Sequence, residues 1–484
     1  MKPERSLPRA GNGSPRFPET AVAGFMDELE KEGLELHSFM LVRRGCVVAE
    51  HWWAPYAPEL PHMLFSLSKS FTSAAVGLAA AEGRLSLQDK VVTFFPGLAP
   101  LNPPDHLQKM TVRDLMIMGT GHARDTMEAL NEKPKEDWVK AFLALPVEHP
   151  PGTRFVYNSG ASYMLSAIVQ EVTGLTLLAY LQLRLLEPLG IGGAEWESCP
   201  MGRNFGGWGL SLRTEDIAKF GQLLLQRGMW EGKRILPEGW MKEAVTKQIE
   251  NGSGADNDWS QGYGYQFWMC RNGAFRGDGA FGQFCVVMPE EEAVLAVTAG
   301  TGRMQDVLKA VWSHLLPPLR GQEPAASLSE GNASKAWRLD PPKQTSRSVR
   351  ESLVSDLSYR LEPNVHRLTG IRFQFRPDSA ELVIQTQERG ELTILLGREH
   401  WLESFASVIR DRKDRVMGSF TWLSEDTQET TLRLTETPFC FTLKNQFAGD
   451  QLRMEIRPQV SFGGEEPVVI TGHRTDSSPL HLGK

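Results

Sequence analysis

The spacing of apolar and polar positions divides the chain into two parts of different character. In the first part, the apolar runs at residues 38–42 and 46–50 flank a charged turn at 43–45 and predict a β-hairpin. A second hairpin is predicted from residues 283–288 and 293–298, and its continuous apolar character places it at the centre of the sheet. Strands at both ends with helices between them predict an α+β domain: an antiparallel sheet flanked by helices, with a helical subdomain.

Apolar residues at helical spacing fill the region between the two hairpins. Thr20 is predicted to cap the first helix and Gly33 to end it, and Gly174 is predicted to end a later one. Further helices are predicted at residues 66–81, 110–116, 176–186, 214–226 and 304–316.

The second part consists of short alternating runs separated by turn residues, which predict an all-β sandwich or small barrel. Trp401, Trp422 and Phe462 are expected to fill its core. The segment that joins the two parts is rich in Pro, Gly, Ser and Lys and reads as a linker. The predicted bounds are a loose arm at 1–18, the α+β domain at 19–317, the linker at 318–355, the β domain at 356–476 and a tail at 477–484.

Composition narrows the classes of function. The chain has 484 residues and a net charge of −7, without a basic run, which argues against nucleic-acid binding. No run approaches the ~20 apolar residues of a membrane span, and the N-terminus lacks the apolar stretch of a signal peptide. The five cysteines are scattered, which favours a reducing compartment, and the cytoplasm is the expected location. Those cysteines are Cys46, Cys199, Cys270, Cys285 and Cys440.

Ser66 and Lys69 form the only Ser-x-x-Lys in the chain, at the start of the apolar helix predicted over residues 66–81. Residues three apart on a helix share a face, so the two side chains project together. A neutral serine needs a neighbouring base to become a nucleophile, and an amine one turn away supplies one. The pair taken alone also fits an exposed serine beside a solvated lysine.

Several segments together resemble the serine β-lactamase and penicillin-binding-protein superfamily, in its class C-like, esterase and D-aminopeptidase branch. Ser66 and Lys69 match its first motif, Tyr157-Asn158-Ser159 matches the second, and Gly277-Asp278-Gly279 occupies the place of the third. The resembling stretches are 65–73, 82–89, 110–116, 151–174, 206–220 and 279–297, in the family's order.

The resemblance implies roles for these residues. Ser66, Lys69 and Tyr157 would be catalytic, and the backbone N–H groups of Ser66 and Ala280 would form the oxyanion hole. The residues expected to bind substrate are Ser159, Asn158, Gly277, Asp278 and Gly279.

The mechanism predicted from these residues is acyl transfer. Ser66 attacks a carbonyl, Tyr157 with Lys69 takes and returns the proton, and water releases the acyl group. Lowering a tyrosine pKa from ~10 to about 7 needs ~4 kcal/mol of selective stabilisation of the phenolate. One ammonium about 4 Å away barely supplies that much, and desolvation of the phenolate acts in the opposite direction. Ser159 or Asn158 is a candidate second donor to the phenolate.

The third motif departs from the family pattern, because Gly277 stands where a Lys or His is common. In the family that basic residue helps to hold a substrate carboxylate, so its absence disfavours efficient β-lactam hydrolysis. Arg276 is a candidate substitute, although adjacent residues of a strand face opposite sides. The glycines Gly277, Gly279 and Gly282 also match a dinucleotide fingerprint, but a strand rather than a helix follows, which argues against nucleotide binding.

Other polar residues carry weaker signals. The eleven histidines are dispersed without a metal-binding spacing, so neither a metal nor a cofactor is expected. His62 and His122 are expected at the surface or behind the catalytic residues rather than as catalysts. The aromatic segment 263–268 either lines a pocket or forms a core strand.

Two functional hypotheses remain open on the sequence. The first is a serine hydrolase acting on a small-molecule or peptide ester or amide, with esterase or amidase and peptidase activity ranked above β-lactamase activity. The second is a non-catalytic descendant that retains the fold as a scaffold or binding protein. The β domain has a weak resemblance to lipocalin-like barrels of the superfamily and would cap the active site, form a homodimer contact or brace the first domain.

Overall fold

The computed structural model describes residues 5–10, 17–132, 136–323, 337–464 and 466–475, and within these ranges the chain forms two compact units. The first unit holds the chain up to His51 and again from Pro61 to Glu323. The second holds Trp52–Leu60 together with the chain from Trp337 onward. The predicted tail, most of the predicted N-terminal arm and residues 324–336 of the predicted linker lie outside the described residues.

The first unit is built on a six-stranded antiparallel sheet of strand order β2-β1-β11-β10-β9-β8. Strands β10 and β11 are buried along their whole length, as their continuous apolar sequence predicts, and they lie at the centre of the sheet. Both predicted hairpins are therefore confirmed. Two smaller sheets, β3-β5-β4 and β6-β7, complete the unit. The strands are β1 Leu36–Arg43, β2 Cys46–Trp52, β3 His62–Met63, β4 Glu195–Trp196, β5 Leu210–Leu212, β6 Met229–Trp230, β7 Lys233–Arg234, β8 Trp268–Met269, β9 Phe275–Gly279, β10 Gln283–Met288 and β11 Ala293–Ala299.

Helices pack on the sheet and form a separate helical region around a central buried helix, α2. Helix α9 packs against the central strands, and α2 packs against α7. The helices are α1 Glu19–Lys31, α2 Ser68–Ala81, α3 Asp105–Lys109, α4 Val112–Met116, α5 Met127–Asn131, α6 Trp138–Leu143, α7 Ser159–Thr173, α8 Leu177–Leu181, α9 Thr214–Leu225, α10 Glu238–Ala244, α11 Met304–Ala310 and α12 Leu316–Leu319. Short 3₁₀ turns lie at Phe65–Leu67, Val91–Phe94 and Arg271–Gly273, and π-helical turns at Gln182–Leu186 and Val311–Leu315.

The helix ends follow local capping chemistry. Thr111 and Asp114 form a capping box at the start of α4, and Gly174 ends α7 with φ +71°, where glycine is favoured. The predicted cap at Thr20 is wrong. The Pro18 carbonyl accepts from the N–H groups of Ala21 and Val22, so α1 begins before Thr20 and this residue lies in the first turn.

Within the described residues, the second unit is a β-barrel of nine strands, which pair antiparallel except where the ring closes. Its strands run in the order β15-β14-β13-β12-β21-β20-β19-β18-β17, and a parallel pairing of β15 with β17 closes the ring. Strand β16 pairs with β17 as an additional strand. Because this pairing closes the ring, the unit is a barrel and not a sandwich, the two forms that the sequence left open. The elements are the short helix α13 Glu351–Val354 and the strands β12 Ser358–Leu361, β13 Leu368–Phe375, β14 Ser379–Thr386, β15 Gly390–Arg398, β16 Leu402–Ala406, β17 Asp414–Trp422, β18 Thr427–Leu434, β19 Cys440–Ala448, β20 Gln451–Pro458 and β21 Val468–Arg474.

The core of the barrel includes aromatic residues, and of its three predicted members only Trp422 belongs to it; the predictions for Trp401 and Phe462 are wrong. Trp422 is fully buried and packs against Phe375 and Phe447, as expected. Trp401 is half-buried and donates its indole N–H to a backbone carbonyl. Phe462 is 72% exposed, because it follows β20 in a loop and no sheet face turns it inward.

No single helix among the described residues has the length and apolar character of a membrane span. Only the bent pair Ser159–Thr173 with Leu177–Leu186 meets that test, on length and composition alone.

Candidate active site

Ser66 lies in a strained turn at the entrance to α2. It is half-buried in the 3₁₀ turn Phe65–Leu67, and Phe65 before it has φ +47°, a conformation that bulky residues rarely adopt. The turn is fixed from the side by β5, because Leu64 N–H donates to the Leu210 carbonyl (2.9 Å) and Leu210 N–H donates to the Ser68 hydroxyl (3.1 Å). Backbone strain of this kind persists only where neighbouring contacts enforce it, and it is concentrated at functional sites.

Lys69 lies one turn further along and is buried, with its ammonium aimed at the serine. Its Nζ donates to Ser66 Oγ at 3.0 Å, to Ser159 Oγ at 3.3 Å and to the Gly207 carbonyl at 2.8 Å. Burial lowers the pKa of Lys69 from 10.5 to about 8, although the carboxylates of Asp125 and Asp278 oppose the shift. A lysine with this pKa exchanges its proton near neutral pH.

Tyr157 lies beside this pair, and its interaction with the Ser66 hydroxyl is one of the influences on its pKa. Its ring stacks on Trp268 with centroids 5.2 Å apart, and Lys69 Nζ lies 4.9 Å from the ring centroid. Loss of solvation is the main cause that raises the pKa of Tyr157 above its ordinary value, with Asp278 adding to it, while the bond with Ser66 opposes it. Desolvation therefore outweighs both Ser66 and the guanidinium of Arg276, which act in the opposite direction, and the phenol is neutral at pH 7.

Ser159 and Asn158 have different positions. Ser159 is half-buried and accepts from Lys69, whereas Asn158 is fully buried and caps α7. The Asn158 Oδ1 accepts from Ala161 N–H, Thr126 N–H and the Thr126 hydroxyl. The amide of Asn158 is thus used for the fold, and Ser159 is the residue of this motif that contacts the lysine.

Strand β9 passes directly against the turn that holds Ser66, and its glycines permit the approach. A Cβ at Gly279 would lie 2.0 Å from the Leu64 carbonyl oxygen and 3.1 Å from the Ser66 nitrogen. Ala280 follows at once, and Phe281 after it has φ +66° and packs edge-on against the ring of Phe65 at 5.6 Å. The backbone at Gly279, next to Ala280, is thereby close to that of Ser66, and the oxyanion hole formed by Ser66 and Ala280 stays a prediction.

The Beta-lactamase family model matches residues 20–316, more than half of the chain.

The chain belongs to the β-lactamase family.

Two proteins of known sequence are similar to this β-lactamase-family chain. The 6-aminohexanoate-dimer hydrolase of Paenarthrobacter ureafaciens is 26% identical over 323 residues, which cover 61% of this chain and 81% of that protein. Protein flp of Staphylococcus aureus (strain N315) is 28% identical over 174 residues, which cover 34% of this chain and 35% of that protein.

Two solved structures share the fold. A Bacillus anthracis protein provisionally assigned as a 6-aminohexanoate-dimer hydrolase superposes with a TM-score of 0.54 at 23% identity, covering 66% of this chain and 88% of that one. The octameric penicillin-binding protein homologue from Pyrococcus abyssi superposes with a TM-score of 0.51 at 16% identity. That superposition covers 93% of this chain and 99% of that one, so the likeness extends beyond the family domain.

The place of the family's third-motif basic residue is filled by helix α2. A Cβ at Gly277 would lie 2.4 Å from Ser70 Oγ and 2.5 Å from Leu67 Cδ1, so this position has no room for a larger side chain. Arg276 faces away from Ser70, as the alternation of the strand predicts. It forms a fully buried ion pair with Asp278 (Nε to Oδ2, 2.9 Å) and lies 4.2 Å from the ring centroid of Trp259.

The remaining predicted residues lie outside this group. His62 is buried and contacts His37 (Nε2 to Nδ1, 2.9 Å), and His122 is buried against Thr120 and Phe142. Residues 277–282 run from β9 through the turn into β10, so no helix follows the glycines and the dinucleotide interpretation is excluded. The described residues include no group of His, Cys, Asp or Glu arranged to hold a metal ion.

Sequence reasoning missed three residues beside Lys69 or Tyr157 and a fourth that lies behind them. Asp125 is half-buried, and its Oδ1 accepts from Ser159 N–H at 2.9 Å and Met127 N–H at 3.0 Å. Gly207 accepts from Lys69, and Trp268 stacks on Tyr157. Gln266 lies behind them at the meeting point of three helices. The aromatic character of segment 263–268 was the sequence signal that could have pointed to Trp268. No motif or regular spacing in the sequence singles out Asp125, Gly207 or Gln266.

Substitution of Gly279 by alanine tests the close approach of β9. The new methyl group would overlap the Leu64 carbonyl and push the strand away from Ser66. Misplacement on the scale of 1 Å is expected to lower kcat/KM about 100-fold. The check is steady-state kinetics beside a thermal melt, with Gly97→Ala as control, because a Cβ at Gly97 meets no atom within 4 Å and, as at Gly279, the backbone is not in the left-handed region. Unchanged kcat/KM in a folded Gly279→Ala would contradict the assignment of β9 to the site.

Proposed function

We propose that this protein hydrolyses an amide or ester bond through an acyl-enzyme on Ser66. The observation that carries the proposal is the contact of Lys69 Nζ with Ser66 Oγ at 3.0 Å, in surroundings that lower the pKa of Lys69 to about 8. A buried amine that is partly neutral near pH 8 and touches a partly exposed serine hydroxyl is suited to activate it.

The pKa directions assign the proton transfers. Neutral Lys69 accepts the Ser66 proton as Ser66 Oγ bonds to the substrate carbonyl carbon. The negative charge moves to the carbonyl oxygen, facing the N–H groups of Ser66 and Ala280. Tyr157 is neutral and gives its proton to the leaving amine or alcohol as the bond to the carbonyl carbon breaks, and the Lys69 ammonium returns a proton to the phenolate. Water then attacks the acyl-enzyme, with the same groups handling its proton in reverse.

The charges around the site favour a substrate that carries an amine. Asp125 and Asp278 both interact electrostatically with Lys69, and the guanidinium of Arg276 is held by Asp278. Position 277 has no basic side chain to hold a substrate carboxylate. The relative from Paenarthrobacter is named for the dimer of an amino acid, a compound with a free amino group. We therefore place amides with a free amino group ahead of β-lactams, and Asp125, which is half-buried beside Ser159, is the carboxylate assigned to that amine.

A matched pair of substrates tests this assignment. The pair is an amino-terminated alkyl amide and its N-acetylated analogue, assayed with wild type and Asp125→Asn. Asparagine retains the oxygen that accepts from Ser159 and Met127 but loses the charge. Wild type is expected to prefer the free amine, and Asp125→Asn to lose about 10-fold in kcat/KM for that substrate relative to the acetylated one, the scale of one charge-assisted hydrogen bond.

The ratio between the two substrates isolates amine binding, because any change in the pKa of Lys69 affects both equally. An unchanged ratio would remove Asp125 from substrate recognition. If wild type turns over none of a panel of alkyl amides, acyl esters, D-amino-acid amides and a chromogenic cephalosporin, the hydrolase proposal fails and the scaffold hypothesis gains.

A further inference from the structure

Gln266 has an unusual backbone conformation for a buried residue. Its φ is +64°, in the left-handed region that favours glycine, and only 2% of the residue is exposed. A glutamine is held in such a conformation only when surrounding contacts enforce it.

Every polar group of Gln266 has a partner, and the partners lie on three different helices. Its N–H donates to the Met116 carbonyl at 3.1 Å, and its carbonyl accepts from Ser70 Oγ at 3.0 Å. Its side-chain Oε1 accepts from Ser162 Oγ at 2.6 Å, and its Nε2 donates to the carbonyls of Leu115 (3.2 Å) and Met116 (3.0 Å). One residue thus joins α2, α4 and α7.

These are the elements that carry or hold the catalytic groups. Ser70 directly follows Lys69, and Ser162 lies in the first turn of α7, which Ser159 begins. Beyond the end of α4, Met118 receives two hydrogen bonds from the segment around Tyr157: its carbonyl accepts from Val156 N–H at 2.9 Å and its sulfur from Asn158 N–H at 3.3 Å.

We propose that Gln266 is a positioning residue for the Ser66 reaction and that it fixes the mutual geometry of Lys69, Tyr157 and Ser159. Ser70, which donates to the Gln266 carbonyl, is also the side chain that excludes a larger residue at Gly277. The Ser70–Gln266 bond therefore lies where the family's third-motif side chain would begin. This inference rests on the proposed function, because it concerns the same catalytic groups.

Gln266→Gly tests the proposal. Glycine adopts φ +64° without strain, so the backbone bonds to Met116 and Ser70 can remain while the three side-chain bonds disappear. We expect kcat to fall about 100-fold with little change in KM, because substrate still binds while the reacting groups are less well aligned. We also expect the rising limb of the pH–rate profile to move from about pH 8 toward higher pH, because looser packing readmits water to Lys69.

Two further variants keep the test sharp if Gln266→Gly is poorly folded. Ser162→Ala removes one of the same bonds from α7, where alanine favours the helix, and is expected to shift the pH profile in the same direction. Gln222→Ala removes a buried glutamine from α9, which packs on the central strands, and is expected to change the melting temperature without moving the profile.

The outcomes separate this inference from the proposed function. Wild type is first treated with a fluorophosphonate and weighed by intact-mass spectrometry; no adduct would overturn both proposals. Suppose that wild type forms the adduct, and that folded Gln266→Gly and Ser162→Ala match it in labelling rate, kcat and pH profile. That result would overturn the role of Gln266 and leave the hydrolase proposal standing. A slower rate with a shifted profile supports both.

Discussion

Substitution of Ser66 by alanine is expected to abolish covalent labelling and to lower turnover of the preferred substrate by about 10⁴-fold or more. The reason is that the proposed acyl-enzyme forms on Ser66 Oγ, which lies 3.0 Å from Lys69 Nζ in the turn that β9 approaches. The measurements are intact mass after treatment with a fluorophosphonate or a penicillin, and kcat/KM on the amide panel.

The matched control is Ser73→Ala on the same helix. Ser73 is fully buried, and its hydroxyl has no hydrogen-bond partner within the described part of the chain, so its loss should leave both labelling and turnover as in wild type. Labelling that persists in Ser66→Ala would show that another residue is the nucleophile and would end the proposed mechanism.

Substitution of Lys69 by alanine is expected to lower kcat/KM by about 10³- to 10⁴-fold, the upper range for a lost general base. In wild type, kcat/KM is expected to rise with pH through about 8. The sign follows from the chemistry: the base must be neutral, and below its lowered pKa of about 8 the amine of Lys69 is mostly protonated. The residual activity of Lys69→Ala should no longer rise with pH in this range. The measurement is the pH dependence of kcat/KM between pH 6 and pH 10.

Tyr157→Phe provides the comparison that separates the two proton-carrying groups. The neutral phenol is assigned to the leaving group, so its loss should cost at least about 100-fold for an alkyl amide and much less for an activated aryl ester, whose leaving group needs little protonation. The rising limb near pH 8 should remain in this variant. If the rise of kcat/KM near pH 8 disappeared in Tyr157→Phe and remained in Lys69→Ala, Tyr157 would be the base and Lys69 the proton donor to the leaving group.

The local parts of the fold were predictable because they depend on neighbours in sequence. Both hairpins, the capping box at Thr111 and Asp114 and the helix end at Gly174 follow from patterns a few residues long. Predictions failed where a neighbour changed the local preference, as at Thr20 after Pro18, or where a residue left the sheet, as at Phe462. The closure of the barrel depends on a pairing between β15 and β17 that no local pattern shows.

The sequence by itself determined that Ser66 and Lys69 share a face. Ser66 lies in a 3₁₀ turn and α2 begins only at Ser68, but residues three apart meet on one side in either kind of helix. It also determined which residues stand in the three motifs, including the glycine at position 277. Only the tertiary structure supports the proposal that Lys69 rather than Tyr157 is the base. Burial lowers the pKa of Lys69 and raises that of Tyr157, and desolvation depends on segments far apart in the chain. The same holds for Asp125 and Gln266, whose positions beside the site arise from packing between elements and not from any pattern in their own neighbourhood.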